Sequence, residues 1–530
     1  MTTEALSVPI PADDPSEAGT PPTSSIPWAE IAVAVAAFLA FCVVVLLKKA
    51  QLMEPDDYAY RASIVALSEG HLALTTAQYH ALAHQVGGIQ QWVQLPDGRW
   101  MSEKNPGYPF YAVIFQWLHA LRLAPLFAGG LASTSLFIAA RKWLGRWAGT
   151  FAVIFFLASG MALAFAYRAT MPTFTDASFI AAGAGAVLWA MISTEATPRR
   201  RTWVGLLGFL SLELATFMRY TDVVMLLVAC AAVVIAYKPA RLKISMLAWW
   251  LGSVVGFGAM VLIFDTIFYG HPTKTGYANG EITFALSAII PNLKHMPELL
   301  VRSVPAIVLA GAGLVWMIVR LISTRRAGAD PARGARARRD GLVGLFLALG
   351  WLGLWGLYMA YTWTAQMDGG GLHQAMAGHL PSGTHLPSGV HLPSGGPHGG
   401  GGGGGGSIHL IRFYVPAIGL IALLATWFVM QLPRWAGWLL AAGALVTADA
   451  SFHTLVSGGG MGAGFPGGGF PGLHGGSGKG TIPGGSGGGL PSGFTPPAGF
   501  KPPAGFKPPA GFKPPAGFTP PSGFGGQGPH

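Results

Sequence analysis

Two adjacent carboxylates, Asp56 and Asp57, stand just past the first long apolar run, which ends at Leu47. Pro55 suits the first turn of a helix and Gly70 its far end, so a short helix over 56–69, lying against a membrane, is predicted. Free backbone N–H groups at a helix start favour negative charge, which keeps both acids ionised near neutral pH. An ionised carboxylate at a membrane surface can accept a proton from a hydroxyl. An Asp at a helix start is also an ordinary cap, and these few residues alone leave both readings open.

Further reactive side chains follow in order. Lys104 lies in SEKNPGY with Tyr108, although a lone Lys can also simply snorkel. Arg168 and Asp176 share the stretch YRATMPTFTDA, and Arg219, Tyr220 and Asp222 share RYTD. Glu213 falls inside an apolar run and needs a partner, for which Arg219 or Arg168 is expected. The plain alternative there is a buried ion pair that fixes helix packing. Asp265, Lys274, Tyr277, Arg412 and Tyr414 complete the set. Charges in or beside a bilayer are costly, so each marks a candidate site. Carboxylates and several cations at one bilayer face suit a lipid-linked sugar phosphate. The cations would hold the phosphate as it leaves, and a carboxylate would deprotonate the incoming hydroxyl. No P-loop, Rossmann glycine fingerprint or HExxH is present.

The elements that must position these residues are apolar helices. The chain has 530 residues, of which 51% are hydrophobic and 10% charged, and a mean hydropathy of +0.47. Soluble domains carry about 25% charged residues, so a polytopic, all-α membrane protein is expected. Spans are placed at 28–47, 124–140, 147–166, 177–193, 203–218, 222–237, 245–268, 303–322, 341–363, 413–430 and 435–449, which makes eleven. The segment 105–121 is short for a span and reads as interfacial or re-entrant; were it to cross, the count would be twelve. Cys42 and Cys230 both fall in apolar runs and imply no disulfide framework.

The net charge of +11 reflects arginines clustered in short loops, which is the signature of membrane orientation and not of nucleic-acid binding. Arg141, Lys142 and Arg146 share one loop, Arg199 to Arg201 a second, Lys238, Arg241 and Lys243 a third, and Arg325 to Arg339 a fourth. These are alternate loops, so all can be cytoplasmic together, with the N-terminus cytoplasmic and the C-terminal tail external. The first loop, 48–123, is then external and carries juxtamembrane helices. Lys48 and Lys49 stand against that placement.

Residues 1–26, rich in Pro, Ser and Thr, read as a disordered tail ahead of a membrane domain at 27–450. Two low-complexity segments interrupt or follow that domain. An external insert at 367–408 repeats HLPSG and carries His379, His385, His391 and His398. The tail, 451–530, repeats GFKPPA around Phe494 to Phe524 and reads as disordered. Clustered His can bind transition metals, but an unpositioned repeat defines no specific metal site.

Across roughly 28–450 the chain resembles the GT-C superfamily of integral-membrane glycosyltransferases, in the branch of protein O-mannosyltransferases and aminoarabinose transferases. EPDDYAY resembles the acidic motif of that family's first external loop, and SEKNPGYPF its Lys-Pro-Pro-Tyr segment, with a single Pro at 106 in place of two. YRATMPTFTDA resembles the second external motif; MRYTD, YGHPTKTGY and RFYVPAIG resemble later segments. The resemblance implies Asp56 as catalytic base with Asp57 assisting. It implies Lys104, Arg168, Arg219 and Arg412 at the donor phosphate. Asp176, Tyr108, Tyr220, Tyr277 and Tyr414 would then meet substrate. It implies no required metal or cofactor, an external active site in the plasma membrane, and inverting transfer from a polyprenyl-phosphate sugar to a cell-envelope acceptor. A lipid or sugar transporter, a flippase or a non-catalytic scaffold is the alternative.

Overall fold

The computed structural model describes residues 27–48, 55–86, 88–89, 91–277, 283–326, 331–367 and 410–457. All of them fall in one compact unit, Met1–Gly464. The His-rich repeats and the Phe repeats lie outside the described residues, as do residues 1–26 and Glu54.

The protein is an all-α polytopic membrane protein. Among the described residues seven helices are long and apolar enough to cross a bilayer, and a bent pair makes an eighth. The seven include α1 (Trp28–Leu47), α5 (Ala124–Leu144), α8 (Thr173–Ile192) and α11 (Ile244–Tyr269). They are completed by α13 (Ala306–Arg326), α14 (Pro331–Met359) and α17 (Arg434–Ser457). Shorter apolar helices are α10 (Val223–Ile235), entered by a 3₁₀ turn from Tyr220, and α16 (Ile418–Val429), entered by one from Val415. Between them α9 (Pro198–Met218) carries Glu213 and three arginines at its start. Each of the eleven expected runs therefore falls on helix.

The expected single span over 147–166 is broken. It divides into α6 (Ala148–Leu157) and α7 (Gly160–Ala166), bent by 63°. The Ser159 hydroxyl accepts the Ala162 N–H and starts a new helix there. A Cβ on Gly160 would lie 2.6 Å from Ser451, so only glycine lets α17 approach this closely.

The hub of the bundle is α8, which packs on α5, α9 and α16 through small residues. A Cβ at Gly183 would meet the Gly208 carbonyl at 2.7 Å, and one at Gly419 would meet Ala181 at 2.4 Å. Such close backbone approach suits helices in lipid, where packing replaces a hydrophobic driving force. It leaves α8 buried along most of its length, with Asp176 in its first turn.

Residues 55–117 build a small layer at one end of the bundle. It contains α2 (Pro55–Ser68), α3 (Thr76–Val86), the antiparallel pair β1 (Trp92–Gln94) and β2 (Trp100–Ser102), and α4 (Gly107–Trp117). Gly98 takes the positive φ that the turn of this hairpin requires. Tyr79 stacks on Trp100 at 4.5 Å and closes a satellite core with Leu74, Leu82 and Val86. At about 1.5 Å per residue, α4 is far short of the ~30 Å hydrocarbon thickness. It lies against α2 and the end of α9, where a Cβ on Gly107 would sit 2.4 Å from the Phe217 carbonyl carbon. The remaining helices are α12 (Ile289–Ser303) and α15 (Thr362–Met367).

Candidate active site

The two acids of the opening motif fall in the first turn of α2. Consecutive helical residues point about 100° apart, so neighbours in sequence reach different partners. Asp57 turns inward and is fully buried. It pairs with Arg168, also buried, and accepts a hydrogen bond from the Thr170 hydroxyl at 2.8 Å. Asp56 turns to the opposite side and meets two cations, one for each carboxylate oxygen. Lys104 Nζ lies 3.2 Å from Oδ1, and Arg412 Nη1 lies 2.9 Å from Oδ2.

These cations are held from behind. Lys104 lies two residues past the end of β2, pairs with Glu103 at 3.1 Å and sits 4.7 Å from the centre of the Tyr277 ring. Gly276 makes that approach possible, since a Cβ there would lie 2.4 Å from Glu103 Cα. Arg412 lies 4.7 Å from the Phe413 ring and 5.5 Å from Trp363, within cation–π range of both. The Arg412 carbonyl accepts a hydrogen bond from Arg219 Nη1 at 3.3 Å. Arg219 therefore ties the end of α9 to the chain segment that carries Arg412. Burial opposes charge on Lys104, but the attraction of Asp56 and Glu103 outweighs it and raises its pKa above the ordinary lysine value. Burial raises the Tyr60 and Tyr277 phenols, so both remain neutral donors beside these charges.

The structure thus brings Asp56, Lys104, Arg412 and Tyr277 into one group, with Arg219 behind it and Asp57–Arg168 on its far side. The other expected residues sit elsewhere. The Tyr108 hydroxyl donates to the Ala169 carbonyl at 2.5 Å, and the Tyr414 hydroxyl to Met359 Sδ at 3.7 Å; both rings are fully buried scaffold. Tyr220 donates to Asp265 at 3.3 Å. Asp176 is fully buried, 3.8 Å from Arg219. The expected partner of Glu213 is corrected: it accepts from the Ser253 hydroxyl of α11 at 2.7 Å. Six residues of helix carry Arg219 roughly 9 Å further along, where it turns to Asp176 instead.

Sequence reasoning passed over Glu103, Thr170, Trp363 and Phe413 as members of this group. Glu103, Phe413 and Thr170 each stand within two residues of a cation already singled out, and Trp363 left no local sign. Among the described residues no group of three or more His, Cys, Asp or Glu could hold a metal ion.

No family model matches the chain, and no curated protein matches it. Solved structures do align with the chain, at low identity. The Archaeoglobus fulgidus oligosaccharyltransferase in its apo form aligns with a TM-score of 0.43 and 11% identity, over 82% of this chain and 56% of that one. The same archaeal enzyme, AglB, in complex with an inhibitory peptide and a dolichol-phosphate gives 0.43 and 11%, over 80% and 56%. ArnT from Cupriavidus metallidurans bound to undecaprenyl phosphate gives 0.33 and 15%, over 77% and 78%. This chain spans little more than half the length of the oligosaccharyltransferase. At these scores and identities the likeness carries no argument about this chain.

Proposed function

We propose that this chain is a membrane glycosyltransferase that moves a sugar from a polyprenyl-phosphate donor to a hydroxyl of a cell-envelope acceptor. The observation that supports the reading is the clamp on Asp56: a carboxylate held oxygen by oxygen between Lys104 and Arg412. Without donor, the two cations neutralise the acid. A donor phosphate competes for the same two cations and draws them off the carboxylate. Asp56 is then a stronger base at the moment the acceptor arrives.

The acceptor oxygen attacks the anomeric carbon from the face opposite the phosphate. The new C–O bond forms as the C–O bond to phosphate breaks, and the anomeric centre inverts. The acceptor proton passes to Asp56, and the lipid phosphate departs as an anion held by Lys104 and Arg412. Arg168 acts one step back, by fixing Asp57 and with it the start of α2. Tyr277 supports Lys104. The site faces outward from the plasma membrane and the N-terminus lies in the cytoplasm.

The test is transfer of labelled sugar from a polyprenyl-phosphate donor by the full chain in proteoliposomes. Full activity in Asp56→Asn would dispose of the reading. Sidedness is checked with Cys42 and Cys230 replaced by Ser and a single Cys at Gly98. An impermeant thiol reagent should label it on intact cells, and labelling only after permeabilisation contradicts an external site.

A further inference from the structure

Behind the clamp lie two carboxyl groups that the proposed reaction does not use. Asp176 stands in the first turn of α8, and Asp222 in the 3₁₀ turn that enters α10. Both are essentially fully buried, and they lie within hydrogen-bonding reach of each other. Each sits at a helix start, yet none of their side-chain oxygens receives a hydrogen bond among the described residues. Arg219 Nε, at 3.8 Å from Asp176, is an ion-pair partner beyond hydrogen-bond range. Two buried carboxylates this near each other cannot both stay ionised against one guanidinium without a proton or a cation between them.

We propose that Asp176 and Asp222 hold a single proton between their carboxyl groups, and that this proton decides whether Arg219 supports the phosphate-binding pair Lys104 and Arg412. With the proton in place the acids carry one net negative charge, which Arg219 balances. Arg219 keeps its hydrogen bond to the Arg412 carbonyl, and Arg412 stays aimed at Asp56. Without the proton the acids carry two charges and draw Arg219 toward themselves, and the Arg412 segment loses its tie. The other groups facing this trio carry no charge, and they include the Tyr277 and Tyr361 phenols. Tyr358 of α14 shares a hydrogen bond with Thr221, the Thr173 hydroxyl lies 3.5 Å from Arg219, and Tyr60 of α2 lies within electrostatic reach. Asp222 and Asp176 are thus positioning residues. The second half of the proposal rests on the glycosyl-transfer reading; the shared proton does not.

The experiment uses the full chain in nanodiscs. Infrared spectra should show a protonated-carboxyl stretch that shifts in D2O and disappears in both Asp176→Asn and Asp222→Asn. Glu213→Gln serves as control, because it removes the signal of a different buried acid. Binding of undecaprenyl phosphate is then followed by titration at several pH values. Wild type should lose about five- to tenfold in affinity between about pH 6 and about pH 9, a coupling of ordinary size. Asp222→Asn, whose amide keeps the donor and removes the charge, should bind with little dependence on pH. Ionisation of the phosphate itself acts the other way, since a more anionic probe should bind these cations better. A carboxyl signal untouched by both Asn variants overturns the shared proton. So does one metal ion per chain that is lost in Asp222→Asn. Absence of lipid-phosphate binding at every pH sinks the glycosyl-transfer reading and the second half with it, while the infrared result still decides the first.

Discussion

The bundle holds an acid between two cations at each of its ends, and the two groups are built inside out with respect to each other. At one end Glu30 of α1 is buried, 2% exposed, between Arg141 and Arg146, which are 32% and 72% exposed. At the other end the cations are covered: Lys104 is 7% and Arg412 14% exposed, and Asp56, at 16%, is the most open member. The same α5 connects the two ends. Its first residue accepts a hydrogen bond from Tyr111 of α4, and its last turn carries Arg141. Where the acid is inside and the cations reach solvent, the group is an anchor, and Thr150 reinforces it by donating to the Glu30 carbonyl. Where the cations are inside, fixed by rings and main chain, the proposed reading has them preorganised for an anion that arrives from outside. Burying two cations with the carboxylates of Asp56 and Glu103 is costly unless the group has a further task.

The contrast breaks first at the acids. Asp56→Asn should lower sugar transfer roughly a hundred- to ten-thousand-fold, the range for losing a general base. Glu30→Gln should leave turnover within about twofold. Comparable losses in both variants, measured in the same proteoliposomes, would mean that the two groups do not differ in kind. Next come the cations. Lys104→Met should cost about a hundred- to a thousandfold in kcat/KM, because it removes charge stabilisation of the leaving phosphate. Arg146→Met, on the exposed side of the anchor, should cost nothing measurable.

A subtler break leaves every charged group in place. Gly276→Ala puts a methyl group 2.4 Å from Glu103 Cα, and the strand end carrying Lys104 must give way. A displacement of about 1 Å at a reacting centre costs about a hundredfold, so kcat should fall by that order while the melting temperature changes little. An unaffected kcat would show that Lys104 need not be held where the structure holds it. Stability should follow the reverse order. Glu30→Gln should lose about 1–3 kcal/mol in thermal unfolding, since it leaves buried groups at the α1 start short of partners.

Much of the Asp56 end was legible in the sequence, the Glu30 anchor was not, and the illegible part has a physical cause. The apolar runs, the short helix after Pro55 and the motifs around Asp56, Lys104, Arg168 and Arg412 could be read from local pattern, because period and helix-start chemistry are local. The division of labour between Asp56 and Asp57 could not. It depends on where the helix begins and on Arg168, more than a hundred residues further on. The turn of Arg219 toward Asp176 rather than Glu213 is set by close packing of α8 on α9 at Gly183 and Gly208, which leaves no trace in a charge count. The break at Ser159 is likewise fixed by the approach of α17 from the far end of the chain. Tyr108 and Tyr414 illustrate the same limit: a tyrosine in a motif does not show where its hydroxyl is used.

The smallest expected effect concerns pH, and it separates the clamp from the carboxyl pair behind it. Because Asp56 and Glu103 raise the Lys104 pKa despite burial, the stability that Lys104 contributes is fully present below the unfolded value of about 10.4. It is lost only as pH rises through the higher folded value. Lys104 therefore stays charged through neutral and mildly alkaline solution, and an alkaline fall in activity there must come from another group. Lys104→Arg keeps the charge and changes the donor geometry, so it should lower kcat by a few-fold and leave the alkaline limb of the pH–rate profile where it is. A limb that moves upward in this variant would mean that Lys104 itself titrates in that range. The clamp would then be looser than its 3.2 Å contact to Asp56 implies.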